Sequence, residues 1–275
     1  MDNASTDGSA PAIERTFTQV HVIRNDRNVG FSSANNQAMR IAKGEYFLLL
    51  NSDAYLRPGA IEKLLEFLQA HREAGVVGPR LLNADGSLQP SCHRFPSPGR
   101  AWIENLRLSA LLPNHPALED YRRWDHDRER LVDFVSGACM LVRRATYEQV
   151  GGFDEMFFMY AEETDWQRRM CSKGWLTGFT PLAEATHLGG ASGGATGIRR
   201  RVFESLDRYQ YKHHGISGLL SLRLAMATGN FLRTSVWALI VLTWPARRRE
   251  ALAKLKLASW LLLRQTTHWR GVFVK

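Results

Sequence analysis

Three carboxylates fall within four residues at Glu162-Glu163-Thr164-Asp165. Packed that closely they repel one another, so they call for a helix N-terminus, a cation or a shared proton. The aromatic run Phe157-Phe158-Met159-Tyr160 just before them can exclude water, as a general base requires. An ordinary acidic first turn of a helix accounts for the same residues without chemistry. A further acid, Asp53, closes the triplet Asn51-Ser52-Asp53 directly after the apolar run Tyr46–Leu50. An acid at the carboxyl end of a buried strand sits where open α/β sheets bind ligands, and it can hold a hard cation that bridges two phosphates. A turn capping the following helix is an equally good account. His187 opens onto the Gly-rich stretch 188–194, where it can complete a metal site with Asp53 or touch a diphosphate.

Three weaker clusters accompany these. The polar run from Asp2 to Ser9 is turn-forming, and Asp2 is placed to meet a base or ribose if a strand precedes it. Asn28-Val29-Gly30-Phe31, followed by Asn35-Asn36, is a glycine turn opening a helix, which suits phosphate or ribose contacts. Ser136-Gly137-Ala138, after Asp133-Phe134-Val135, offers small residues where backbone can approach a ligand, or simply tight strand packing.

The elements that must hold these residues read as alternating strands and helices. Residues 20–23 and 46–50 are predicted as strands buried on both faces, with a helix over 33–43 between them. Pro58-Gly59 starts a second helix with Ile61, Leu64, Leu65 and Leu68 on one face. Val76-Val77-Gly78 is a further strand, and residues 83–87 make a polar hairpin turn. Residues 91–130 read as a long, partly helical excursion. A strand over 134–143, helices over 145–150 and 162–174, and a last strand around Phe179 follow. The pattern implies an α/β fold with a mostly parallel sheet flanked by helices.

Composition is ordinary for a globular chain, with 44% apolar and 23% charged residues. The start carries no basic-then-apolar leader pattern. Cys92, Cys139 and Cys171 are widely spaced with no paired motif, which argues against a zinc site and a disulfide framework. The net charge of +9 is concentrated. From Ile216 onward there are ten Lys or Arg and one acid, Glu250, so the rest of the chain is neutral overall. That argues against nucleic acid as the main partner. Residues 199–215 read as a basic, aromatic helix. The remainder is apolar but interrupted by Arg223 and Arg233, and its longest charge-free stretch, from Thr234 to Ala246, is too short to span a bilayer. A basic helix with Trp and Leu opposite is expected to lie in a membrane interface, and a helical layer packed on the catalytic part is the alternative.

Taken in order and spacing, Asp2-Asn3-Ala4-Ser5, Asn28-Val29-Gly30-Phe31 with Asn35-Asn36, Asn51-Ser52-Asp53, Ser136-Gly137-Ala138, Glu162-Glu163-Thr164-Asp165 and His187 resemble the family-2 glycosyltransferases of the GT-A fold. The nearest group resembles the bacterial rhamnosyltransferases. The resemblance covers about residues 1–195 and implies a catalytic domain over 1–198, with a helical tail over 199–275. It implies that the family's first strand is missing ahead of Asp2. It implies nucleotide-sugar contacts from Asp2, Asn28, Gly30, Asn35, Ser52, Ser136 and Gly137, and a divalent metal, Mg²⁺ or Mn²⁺, on Asp53 and His187. The catalytic base falls among Glu162, Glu163 and Asp165, with Glu163 at the position of the family's base.

The expected partners are a nucleoside-diphosphate sugar donor, a glycan or polyprenyl-linked acceptor and a membrane surface. The expected location is the cytoplasm or the cytoplasmic face of the inner membrane. The expected reaction is inverting sugar transfer to a hydroxyl of a cell-envelope glycan, rhamnosyl transfer included. A folded but non-catalytic remnant is one alternative. A sugar-phosphate nucleotidyltransferase is another, and it calls for a Gly-rich, Lys-containing loop near the start that this sequence lacks.

Overall fold

The computed structural model describes residues 1–111, 115, 118, 121, 124–189 and 195–267. Residues 190–194 of the Gly-rich loop, parts of the 91–130 excursion, and Arg270 and Lys275 lie outside the described residues. Two compact units emerge: one from residues 1–95 with 121–205, the other from 96–120 with 206–275.

The first unit begins with α1 (Ser9–Thr16), α2 (Phe31–Ile41), β1 (Tyr46–Leu50), β2 (Ala54–Leu56), α3 (Ala60–Ala70), β3 (Ala74–Leu82), β4 (Leu88–Gln89) and β5 (Cys92–His93). The chain then enters the second unit with α4 (Pro98–Asn105) and α5 (Leu108–Leu111). It returns with β6 (Arg130–Val132), β7 (Phe134–Val135), β8 (Cys139–Arg143), α6 (Arg144–Val150), α7 (Glu162–Ser172) and β9 (Leu176–His187). The helix α8 (Ala195–Thr243) leaves helical geometry at Gly215 and is followed by α9 (Arg248–Thr267).

The main sheet runs β1-β8-β3-β9-β2, with β4 on β3 and β6 on β9. It is mixed rather than mostly parallel: β3–β9 is parallel, and the other pairings within it are antiparallel. The reason is an insertion. Strand–helix–strand connection makes β1 and β3 run the same way, as the sequence pattern implies, but β8 arrives from far along the chain and lies antiparallel between them. The expected strand at 20–23 is also absent. Its backbone makes one parallel bridge, Asp2 with Arg24, flanked by bonds from Asp2 N to Ile23 O and Asn25 N to Asp2 O. A strand needs a neighbour along its length to satisfy its polar groups, and Val20 stays exposed.

Side chains alternate across the sheet as pleating demands. Val76, Met140 and Val142 face one core, where Met39 of α2 and Trp166 and Met170 of α7 pack. Val77 and Leu141 face the other, under Leu64, Phe67 and Leu68 of α3. Ile61, expected on that apolar face, is exposed. With helices on both faces, one end of the sheet, where β1 and β9 finish and β8 begins, carries the Asn51-Ser52-Asp53 turn and His187.

In the second unit α4 packs on α8. Trp102 Nε1 donates to Ser221 Oγ at 3.1 Å, and Arg233 donates to the Asn105 carbonyl at 3.0 Å. Gly229 permits that approach, since a Cβ there would lie 2.6 Å from the Asn105 carbonyl oxygen. Arg223 and Asp207 form a buried ion pair at 2.9 Å. The segment Arg200–Thr243 is long and apolar enough to cross a membrane by length and composition.

Candidate active site

The turn Asn51-Ser52-Asp53 joins β1 to β2, closed by Ala54 N donating to Asn51 O at 3.0 Å. Because Ala54 pairs with His187 in the β2–β9 register, Asp53 comes alongside that histidine. Asp53 Oδ1 and His187 Nε2 lie 3.4 Å apart. Gln89 on β4 fixes the imidazole. Its amide nitrogen donates to Asn83 Oδ1 at 2.9 Å and to the His187 carbonyl at 3.3 Å, so its oxygen faces His187 Nδ1 at 2.8 Å and accepts that proton. The tautomer assigned by this network leaves Nε2 as an acceptor, 3.4 Å from the Asp53 carboxylate oxygen and 3.5 Å from the Asn51 side-chain nitrogen that can donate to it. Two acceptors that close, one oriented by a carbonyl-type partner behind it, suit a hard divalent cation. Two protein ligands leave positions for phosphate oxygens and water, as Mg²⁺ and Mn²⁺ sites with nucleotides do.

A cleft of about 590 Å³ opens beside this pair. Of the sequence-chosen residues, Asn28, Gly30, Asn35, Ser52 and Asp53 line it. Asn3 organises its floor: the side-chain nitrogen donates to Asn28 Oδ1 at 2.9 Å and the Gly30 carbonyl at 3.2 Å, while its oxygen accepts from Val29 N at 3.0 Å. Asp2 is set back from the lining, with its carboxylate accepting from Ser5 N at 3.1 Å. Gly30 has φ +89°, and a Cβ there would fall 2.6 Å from the Phe158 carbonyl oxygen, so α2 starts in contact with the 153–158 segment. Phe31 N donates to that same carbonyl at 2.8 Å. Asn36 exchanges two hydrogen bonds of 2.9 Å with the backbone of Phe153.

The acids lie across one turn of chain from the cleft. Asn51 N donates to the Ala138 carbonyl at 2.9 Å. Gly137, the residue before, packs against Glu163, since a Cβ there would sit 3.4 Å from the glutamate Cβ. Ser136, Gly137 and Ala138 therefore join the Asp53 turn to the first turn of α7. Glu162 Oε2 and Glu163 Oε2 are enclosed and have no hydrogen-bond partner. Burial, and then the neighbouring Glu163 charge, hold the Glu162 carboxyl well above the ordinary range. Burial also raises Glu163, against backbone N–H groups including that of Gly137 that favour its ionised form. Asp165 differs. It is fully buried and accepts from Arg169 Nε at 2.9 Å, and Arg169 in turn donates to the carbonyls of Val150 and Gly152. Tyr160 and Ala161 both have positive φ, 71° and 65°. Such residues cost about 1–3 kcal/mol each and cluster at functional sites.

Sequence reasoning passed over Asn3 and Asn51 as contributors, although both stand inside quoted motifs. Gln89 gave no signal, because its role depends on the β3–β4 hairpin meeting the end of β9. Among the described residues no group of three or more His, Cys, Asp or Glu gathers as a metal cluster.

The model of glycosyl transferase family 2 matches residues 1–151. An N-acetylglucosaminyl-diphospho-decaprenol L-rhamnosyltransferase of Mycobacterium tuberculosis is 35% identical over 198 residues, covering 68% of this chain and 64% of that protein. The chain thus spans less than two thirds of that relative's length. Among solved structures, a mannosyltransferase from Pyrobaculum calidifontis in complex with GDP-Man and Mn²⁺ superposes with TM-score 0.52 at 17% identity, over 95% of this chain and 76% of that one. GalNAc-T7 with UDP, GalNAc and Mn²⁺ gives TM-score 0.51 at 14% identity, over 82% of this chain and 46% of that one. These likenesses show the GT-A fold. With a family match over more than half its length, the chain belongs to glycosyl transferase family 2.

Proposed function

We propose that this chain moves a sugar, with inversion, from a nucleoside-diphosphate sugar to a hydroxyl of a lipid-linked glycan. The observation that carries the reading is the pairing of Asp53 with His187, joined through the Ser136-Gly137-Ala138 turn to two enclosed glutamates that each keep one oxygen, Oε2, without a hydrogen bond. Asp53 and His187 would hold the divalent metal, with Gln89 orienting the imidazole. A cation bound there would neutralise charge building on the leaving diphosphate. Asn28, Gly30, Asn35 and Ser52 form the donor cleft on the floor that Asn3 organises, and the family resemblance adds Asp2, Ser136 and Gly137 as donor contacts outside its lining. Glu163 takes the proton from the acceptor hydroxyl as its oxygen attacks the anomeric carbon and the diphosphate leaves from the opposite side. A raised carboxyl value makes it a better proton acceptor than an exposed glutamate. Asp165 holds Arg169 and serves as a positioning residue.

The mycobacterial relative's printed activity supports rhamnosyl transfer to a polyprenyl diphosphate-linked sugar as the specific reaction. A basic tail with an exposed apolar face supports a peripheral site on the cytoplasmic side of the membrane, where such an acceptor lies. The first test is a melting-temperature screen of sugar nucleotides with and without Mn²⁺ or Mg²⁺. One nucleotide sugar is expected to stabilise the chain in a metal-dependent way, and Asp53→Ala to abolish that dependence. Wild-type levels of transfer by both Asp53→Ala and Glu163→Gln would defeat the proposal.

A further inference from the structure

We infer that Arg201 binds the diphosphate of the donor, a role that rests on the proposed function and adds a residue to it. Arg201 is the cationic side chain among the described residues lining the cleft, together with Asn28, Gly30, Asn35 and Asp53. Its guanidinium carbon stands 5.2 Å from the centre of the Phe158 ring. Four residues on, and so on the same face of α8, Ser205 is buried and donates to the Met159 carbonyl at 2.9 Å. Successive residues of the 157–160 segment are thus gripped by successive turns of one helix. Phe158 also carries the carbonyl that receives Phe31 N and crowds Gly30. The residue whose ring lies under Arg201 is therefore the one whose backbone carbonyl fixes the glycine turn of the cleft.

A guanidinium stacked on an aromatic face keeps its edge N–H groups free, in the planar fork that fits two phosphate oxygens. Its neighbour Arg200 is spent elsewhere, in an exposed pair with Glu204 at 2.8 Å. The other described side chains lining the cleft are uncharged apart from Asp53, so a bound diphosphate needs a second positive side chain besides the cation on Asp53 and His187. Arg201 supplies it. Acceptors of the proposed class also carry a diphosphate, but Arg201 shares its cleft with the donor-side residues, which assigns it to the donor.

The test titrates UDP, GDP and dTDP, with their monophosphates, into the full chain with Mn²⁺ for wild type, Arg201→Ala, Arg201→Lys and Arg200→Ala. Loss of a charge-assisted phosphate contact is expected to weaken the preferred diphosphate about ten- to a hundredfold in Arg201→Ala. The monophosphate should change much less, Arg201→Lys should recover part of the loss, and Arg200→Ala should match wild type. In transfer assays the donor KM should rise while the acceptor KM holds. Wild-type diphosphate binding by Arg201→Ala, or a shift confined to the acceptor KM, overturns the inference and leaves the proposed function standing. A wild-type chain that binds none of the three diphosphates overturns both.

Discussion

Glu162 and Glu163 are held where a carboxylate is least comfortable, enclosed side by side, each with one oxygen, Oε2, that nothing bonds. In the unfolded chain both titrate near the ordinary 4.5, and in the folded chain both titrate higher. Between those values the native state keeps protons that the unfolded state has lost, so stability falls as pH rises through the window. Glu162→Gln cannot ionise. It is expected to raise the melting temperature at about pH 8 and to leave it unchanged near pH 4. Equal shifts at both values would mean that packing, not charge, explains the effect. The same displacement sets the activity profile: transfer should fade as pH drops through the raised value. Glu163→Gln should lower the maximal rate by about 10²–10⁴ with the donor KM kept, a split read from steady-state kinetics. Gln89 acts at one remove, through the His187 tautomer. Gln89→Ala is expected to weaken Mn²⁺ binding about ten- to a hundredfold in a metal titration.

Helix α2 and the 153–158 segment are fastened to each other at the mouth of the cleft, through Gly30, Phe31 and Asn36. Gly30→Ala puts a side chain into a positive-φ position and against a carbonyl. Strain of this kind costs about 1–3 kcal/mol, so a lower denaturation midpoint is expected along with weaker nucleotide binding. An unchanged midpoint would show that the segment yields. These features were partly legible. Asn28-Val29-Gly30-Phe31 reads as a glycine turn opening a helix, and the helix starts at Phe31. What presses on the glycine was not legible, because Phe158 is more than a hundred residues away in the chain. For the same reason the strand over 134–143 came out as two, β7 and β8, broken at Ser136-Gly137-Ala138 where the backbone turns to meet Asn51.

At the scale of the molecule, the net charge and the exposed apolar surface fall in the same stretch. Along α8, Leu220, Leu224, Phe231, Leu239 and Leu242 are exposed, Leu242 at 82%, while Leu222, Ala225 and Met226 on the opposite side are buried. Arg247, Arg248 and Arg249 follow, then Lys254 and Lys256 on α9. Such a helix suits an anionic lipid surface. Co-sedimentation with vesicles containing anionic phospholipid is expected, released by about 0.5 M salt as charges are screened. Replacing Arg247, Arg248 and Arg249 by Gln should weaken it about a hundredfold, at about 1 kcal/mol per cation. Salt-insensitive association of the triple variant would instead favour insertion of the long apolar helix.

The sequence alone determined the alternation of strands and helices, the acids at their ends, and where the charge lies, because periodicity and residue type are local. The folded chain decided which strands are neighbours. It put β8 between β1 and β3, set Gln89 behind His187, committed Asp165 to Arg169, and brought Arg201 over Phe158. Each of these joins residues distant in the chain, and nothing in local spacing records which distant partner fills a lone pair, a sheet edge or a ring face. The three acids of Glu162-Glu163-Thr164-Asp165 thus divide in the structure. Glu162 and Glu163 each keep one enclosed oxygen, Oε2, without a hydrogen bond, and Asp165 is held by an arginine one turn away.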